Sequence, residues 1–209
     1  MIPNVSVIFP TVRPGQFMRS FDSIQASAGD VSVEVVIVAD FPKPAGLHCT
    51  WVVRERRGVV DAVVRAWDDV KGQCVFLFND EATLDPDALE ILYHEAMADP
   101  DSLLTPQHVP AYTFAYFGKP FAAFPFAKRE LFVRLGGLLD PVFKSFYADP
   151  DLGMRAHAAG VPIRTVERAV IRHNNGHDDV KVSNVAQYMA LDQQTFRARW
   201  EHMGTFRDC

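Results

Sequence analysis

Residues 75–89 read VFLFNDEATLDPDAL, and three changes of character within them set the fold. The run from Val75 to Phe78 is unbroken and apolar, as expected of a strand buried on both faces. Asn79-Asp80-Glu81 follows at once, so the strand delivers two carboxylates at its carboxyl end. Pro86 then marks the first turn of a helix, where its missing N–H costs nothing. Asp85 and Asp87 suit the positive end of that helix.

The same order repeats toward the N-terminus. Val5-Ser6-Val7-Ile8-Phe9 is a buried strand that stops at Pro10-Thr11-Val12-Arg13. Residues 16–28 carry Phe17, Phe21, Ile24 and Ala28 at helical spacing. Val33–Ala39 is a second buried strand, ending at Asp40. Residues 50–53 predict a third, ending at Arg54-Glu55-Arg56-Arg57. Gly58 opens a helix with Val59, Ala62, Val63, Ala66 and Trp67 on one face. This alternation predicts an α/β fold on a mostly parallel sheet flanked by helices.

The C-terminal half is less regular. Residues 112–126 are aromatic and strand-like, broken at Gly118-Lys119-Pro120. Helices are expected over 128–135, 151–159 and 184–203, with short strands at 163–166 and 169–171. The expected organisation is one domain of two halves, 1–105 and 106–209.

Composition excludes several classes. With 209 residues, 48% hydrophobic and 22% charged, the chain is neither disordered nor dependent on disulfides for a core. Cys49, Cys74 and Cys209 form no short CxxC pair, which fits a reducing compartment and gives no zinc knuckle. The net charge of −5 counts against a dedicated nucleic-acid binder. The N-terminus lacks a basic, apolar leader. The longest aliphatic run, 35–39, is far short of the ~20 residues of a membrane span. A cytoplasmic protein with no transmembrane segment is expected.

In parallel sheets ligands sit at the carboxyl ends of strands. Two adjacent carboxylates there, Asp80 and Glu81, ask for a cation. A hard divalent ion bridging phosphates is one answer, and a solvated turn is the other. Asp40 is placed to accept hydrogen bonds from a base or ribose, and Thr11 and Arg13 to contact a base or diphosphate. The turn PTVRPG at 10–15 is neither Gly-x-Gly-x-x-Gly nor a Walker loop, so the dinucleotide reading loses. Asp149, before Pro150 and a helix, has the position of a helix cap. His173 reads as loop decoration; with His177 it has zinc-pair spacing. Arg56 and Arg57 are a solvated turn or phosphate clamps. Tyr112, Tyr116 and Phe117 are core or a stacking wall.

Three blocks, taken in order, resemble the family-2 glycosyltransferases of GT-A fold. The first is VSVIFPTVRPGQFMRSFDSIQAS with VEVVIVADF. The second is the Gly58-x3-Ala62-x3-Ala66 helix leading into VFLFNDEATLDPDAL. The third is LFVRLGGLLDPVF with YADPDLGMRAHAAGVPI. They cover roughly residues 4–178. The sequence departs from the family pattern in having Ala39 before Asp40, Val63-Val64 for Arg-Asn, Glu81 for Asp, and Ala148 for Glu.

The resemblance implies an inverting transfer of a sugar from a nucleotide-diphosphate sugar, most readily a UDP-sugar, to a hydroxyl of a glycan or other acceptor. Pro10, Thr11, Arg13, Asp40 and Asp80 would bind the nucleotide. Glu81, Asp80 and His173 would hold Mn²⁺ or Mg²⁺. Asp149 would be the general base, and Asp151 and Arg57 would touch substrate. A modified nucleic acid stays open as acceptor, given the C-terminal basic set (Arg164, Arg168, Arg172, Lys181, Arg197, Arg199). The rival readings are a nucleotidyltransferase and a non-catalytic nucleotide-sugar-binding module.

Overall fold

The computed structural model describes residues 2–112, 114–173, 176 and 178–206. An eight-stranded sheet runs in the order β3-β2-β1-β4-β9-β6-β10-β5. Its first half is β1 (Val5–Thr11), β2 (Val33–Ala39), β3 (Thr50–Val53) and β4 (Cys74–Leu77). These four strands pair in parallel, with Val7 opposite both Val35 and Phe76. The second half is β5 (Ala82–Leu84), β6 (Leu103–Val109), β9 (Phe126–Lys128) and β10 (Ile163–His173). Here β9 runs antiparallel to β4 and β6, and β5 antiparallel to β10. The sheet is therefore parallel in its N-terminal half and mixed beyond it. A separate hairpin joins β7 (Ala115–Tyr116) to β8 (Lys119–Pro120).

Strand alternation decides which helix covers which face. Val5, Val7 and Phe9 point to one side, where α1 (Phe17–Ala26) and α3 (Ala88–Ala98) pack through Phe17, Phe21, Ile24, Leu89 and Leu92. Ile8 points to the other, against α2 (Val59–Ala66), α4 (Arg129–Arg134), α5 (Ala148–Ala158) and α7 (Ala190–Trp200). Phe17 and Ile24 are fully buried, each worth roughly 1.5–3 kcal/mol of transfer free energy. A short helix, α6 (Asp179–Asn184), and a π-turn lead into α7.

Several expectations change. The division between residues 105 and 106 falls inside β6, so both halves share that strand. The two short strands at 163–171 are one strand, β10, with a register shift between Val166 and Val170. The helix expected at Pro86 begins at Ala88, after Asp87 in a left-handed conformation (φ 63°). Tyr116 and Phe117 belong to an aromatic core: Tyr116 stacks on Phe121 and Phe206, and Phe117 packs on Phe196. Tyr112 alone of the three is exposed, at 52%. Among the described residues no helix is long and apolar enough to cross a membrane.

Candidate donor site

The carboxyl ends of β1, β2 and β4 meet at one cleft of about 210 Å³. Pro10, Thr11 and Arg13 enter it from β1, Asp40 from β2, Asp80 and Glu81 from β4, and Arg57 from the loop before α2. The cleft thus gathers seven of the residues expected from sequence. Gly58 (φ 96°) starts α2 where a Cβ would lie 2.2 Å from the Lys144 carbonyl. That close approach draws the segment before α5 toward the cleft, and Ser145 and Phe146 line its wall. Buried Asp192 of α7 fixes the segment, accepting from the N–H groups of Lys144, Ser145 and Phe146 at 3.0, 2.8 and 2.9 Å.

The centre of the site is an ion-pair network around Arg13. Its Nη1 donates to Asp80 Oδ1 at 2.7 Å, and its Nη2 to Glu81 Oε1 at 2.7 Å. Its Nε donates to Asp178 Oδ2 at 2.5 Å. The Thr11 hydroxyl donates to the other oxygen of Asp80 at 2.6 Å, and the Arg13 N–H donates to Thr11 Oγ1 at 3.2 Å. Asp178, at the N-cap of α6, was missed as a partner of the site; it lies 165 residues from Arg13, so no local pattern announces it.

The electrostatics follow from burial and this cation. Loss of hydration pushes the Asp80 carboxyl above its usual range, against the Thr11 hydrogen bond and the Arg13 charge. Burial also raises Glu81, but His173, Arg13 and Lys181 outweigh it, so its net shift is downward. The Arg13 hydrogen bond holds Asp178 down at about 2.

A second cleft of about 280 Å³ lies on the other side of the acidic pair and includes Gln16, Arg19, Thr83 and His173. His173 Nε2 faces Glu81 Oε2 at 3.6 Å. That nitrogen is buried, and among the described residues Glu81 is its one polar neighbour, just beyond hydrogen-bond distance. Behind it stands His108, also buried, with neither ring nitrogen hydrogen-bonded among the described residues, its ring centroid 6.2 Å from that of His173. Burial pulls His108 down to about 4, so it is neutral. His108 was also missed: one histidine in an apolar strand carries no signal by itself. His177, the expected zinc-pair partner of His173, lies outside the described residues.

Glu81 and His173 are a suitable pair of donors for a divalent ion: a carboxylate oxygen and a buried imidazole nitrogen turned toward each other. Asp80 is adjacent. Among the described residues no group of three or more His, Cys, Asp and Glu side chains already converges on a metal position. The Arg13 guanidinium stands among these carboxylates instead.

Asp149 and Asp151 line neither cleft. Asp149 lies in the first turn of α5, three residues after Phe146, and the helix cap position is Tyr147 (φ 60°), so Asp149 is not a cap. Loss of hydration pushes its carboxyl up to about 7, against the hydrogen bond from its own backbone N–H. Asp151, expected to touch substrate, is corrected to a structural role. It is fully buried and accepts from Arg155 Nε at 2.8 Å and from Arg199 Nη1 and Trp200 Nε1 at 2.9 Å each. Arg57 lines the cleft but is exposed and pairs with Glu55 at 3.0 Å.

A parallel N-terminal half, an acidic pair at the end of its fourth strand and a mixed second half together define a GT-A-like fold. The fold is shared with solved glycosyltransferases. GalNAc-T7, solved with UDP, GalNAc and Mn²⁺, superposes with a TM-score of 0.66 at 14% identity over 97% of this chain and 51% of its own. TarS of S. aureus gives 0.66 at 13% over 96% and 44%. The mannosyltransferase PcManGT of Pyrobaculum calidifontis, in complex with GDP-Man and Mn²⁺, gives 0.68 at 20% over 99% and 66%. The chain thus spans between under half and about two-thirds of these proteins. No family model and no curated protein sequence matches it.

Proposed function

We propose that the protein transfers a sugar from a nucleotide-diphosphate sugar to an acceptor hydroxyl, with inversion at the anomeric carbon. The observation that carries this is the convergence of Thr11, Arg13, Asp40, Asp80 and Glu81 on one cleft, at the strand ends of a fold shared with nucleotide-sugar enzymes. UDP- and GDP-bound neighbours set the class of donor to test.

In this reading Asp40, exposed at the end of β2, accepts from the base or ribose. Thr11 holds Asp80 in place for the ribose-diphosphate side. Glu81 and His173, with Asp80, would hold Mn²⁺ or Mg²⁺, which when bound supplies Lewis-acid neutralisation of the diphosphate leaving group. Asp149 takes the proton from the acceptor hydroxyl. A carboxyl near 7 suits a base that must be ionised yet strong enough to accept a proton at neutral pH. One base and one displacement give inversion, by analogy with one-step glycoside chemistry.

Thermal shift tests donor binding directly. A UDP- or GDP-sugar with Mn²⁺ at about a hundred times its Kd stabilises by about 2.7 kcal/mol, which is roughly 5–10 °C for a domain of this size. Asp40→Ala should reduce the shift at equal ligand without lowering the unliganded Tm. An unchanged shift in Asp40→Ala removes that residue from the site; no shift with any nucleotide sugar contradicts the proposal.

A further inference from the structure

We propose that Arg13 is a built-in counter-cation that competes with a divalent ion for the oxygens of Asp80 and Glu81. The inference rests on the donor-site reading above and adds how metal entry is controlled.

The geometry makes the competition one of atoms. Asp80 has both oxygens engaged, Oδ2 by the Thr11 hydroxyl and Oδ1 by Arg13 Nη1. Glu81 gives Oε1 to Arg13 Nη2 and keeps only Oε2, which faces His173. A hard ion arriving now finds only Glu81 Oε2 and His173 Nε2 not already hydrogen-bonded, and meets the other oxygens beside a guanidinium charge, so it would have to keep many waters to reach the six or more ligands such ions take. Withdrawal of the guanidinium frees Asp80 Oδ1 and Glu81 Oε1 together. The planar fork is what lets one side chain bridge these two carboxylates and Asp178 at once. A diphosphate presents the same fork with another anionic partner, and the guanidinium lies within the cleft that the donor would fill. Donor and metal would then favour each other's binding, because the first draws away the cation that blocks the second.

Titration with MnCl₂ alone, read as the loss of the free-ion EPR signal, tests this without any turnover. Arg13→Met should bind Mn²⁺ more tightly than wild type, by roughly the 5–150-fold of a typical coupling between sites. Arg13→Lys keeps the charge, and with it the fold, but cannot bridge the carboxylates as the planar fork does. It should also bind more tightly than wild type, though less tightly than Arg13→Met. Mn²⁺ affinity in Arg13→Lys equal to or below wild type overturns the competition for oxygens and leaves only the charge effect. Failure of Mn²⁺ to bind any of the three proteins overturns it too. Failure of the donor reading looks different: Mn²⁺ affinities that differ as expected, with UDP- and GDP-sugars binding none of the three.

Discussion

Asp149→Asn is expected to lower kcat by roughly 10²–10⁴-fold, the usual contribution of a general base, with donor affinity nearly unchanged. The substitution keeps the size of the side chain and removes only its capacity to take a proton. Because Tyr147 occupies the cap position, no capping bond is lost with it. The pH profile carries a second signature. Wild-type kcat/KM should rise as pH passes through about 7, where the carboxylate forms. Stability should move the other way. An unfolded Asp ionises near 4, as model peptides do. Between there and about 7 the folded protein keeps a proton that the unfolded chain has shed, so wild-type stability falls as pH rises. Asp149→Asn removes that burden. It should be more stable than wild type at pH 8 and equal to it at pH 4, while turning over far more slowly. Turnover at the wild-type rate would withdraw the base assignment.

Asp151→Ala is expected to be the most destabilising single change at these positions. It leaves Trp200 Nε1 without its acceptor and takes a carboxylate from Arg155 and Arg199. Breaking a buried pair by removing one partner costs about 3–5 kcal/mol. For a domain of this size that is roughly 6–20 °C in Tm. Arg155 also donates to the carbonyls of Leu135, Gly137 and Leu138, so α5, α7 and the glycine turn should loosen together. A calorimetric scan reads the loss. A normal Tm with a raised KM would instead restore the substrate role expected from sequence.

The contrast between these two aspartates shows where sequence reading works. The alternation of strand and helix, and the polar residues at the strand ends, are local patterns, and they suffice to bring Thr11, Asp40, Asp80 and Glu81 to one cleft. Asp149 and Asp151 share one motif and one turn of helix, so spacing could not separate a half-buried acid from a fully buried one. Only the arrival of Arg199 and Trp200 from α7 does that. Strand β6 was hidden by its sequence, LLTPQHV, because an internal proline argues against a sheet position. Pro106 lies beyond the single β6–β9 pair, Leu104 and Phe126, and opposite Val166, where the register with β10 shifts. The strand β5, at three residues, is too short to carry a period. The Arg13 network depends on a carboxylate brought back by β10 and α6, which no window along the chain contains.

The central claim is that the cleft at the strand ends activates a nucleotide sugar. Incubation of the purified protein with UDP- and GDP-sugars, with and without Mn²⁺, and measurement of the free nucleoside diphosphate released tests it most directly. Mn²⁺-dependent release of UDP or GDP from at least one donor is expected, lost in Glu81→Ala. Release of pyrophosphate from a nucleoside triphosphate and a sugar phosphate, or donor binding with no release in the presence of Mn²⁺ across a panel of hydroxyl acceptors, would contradict it.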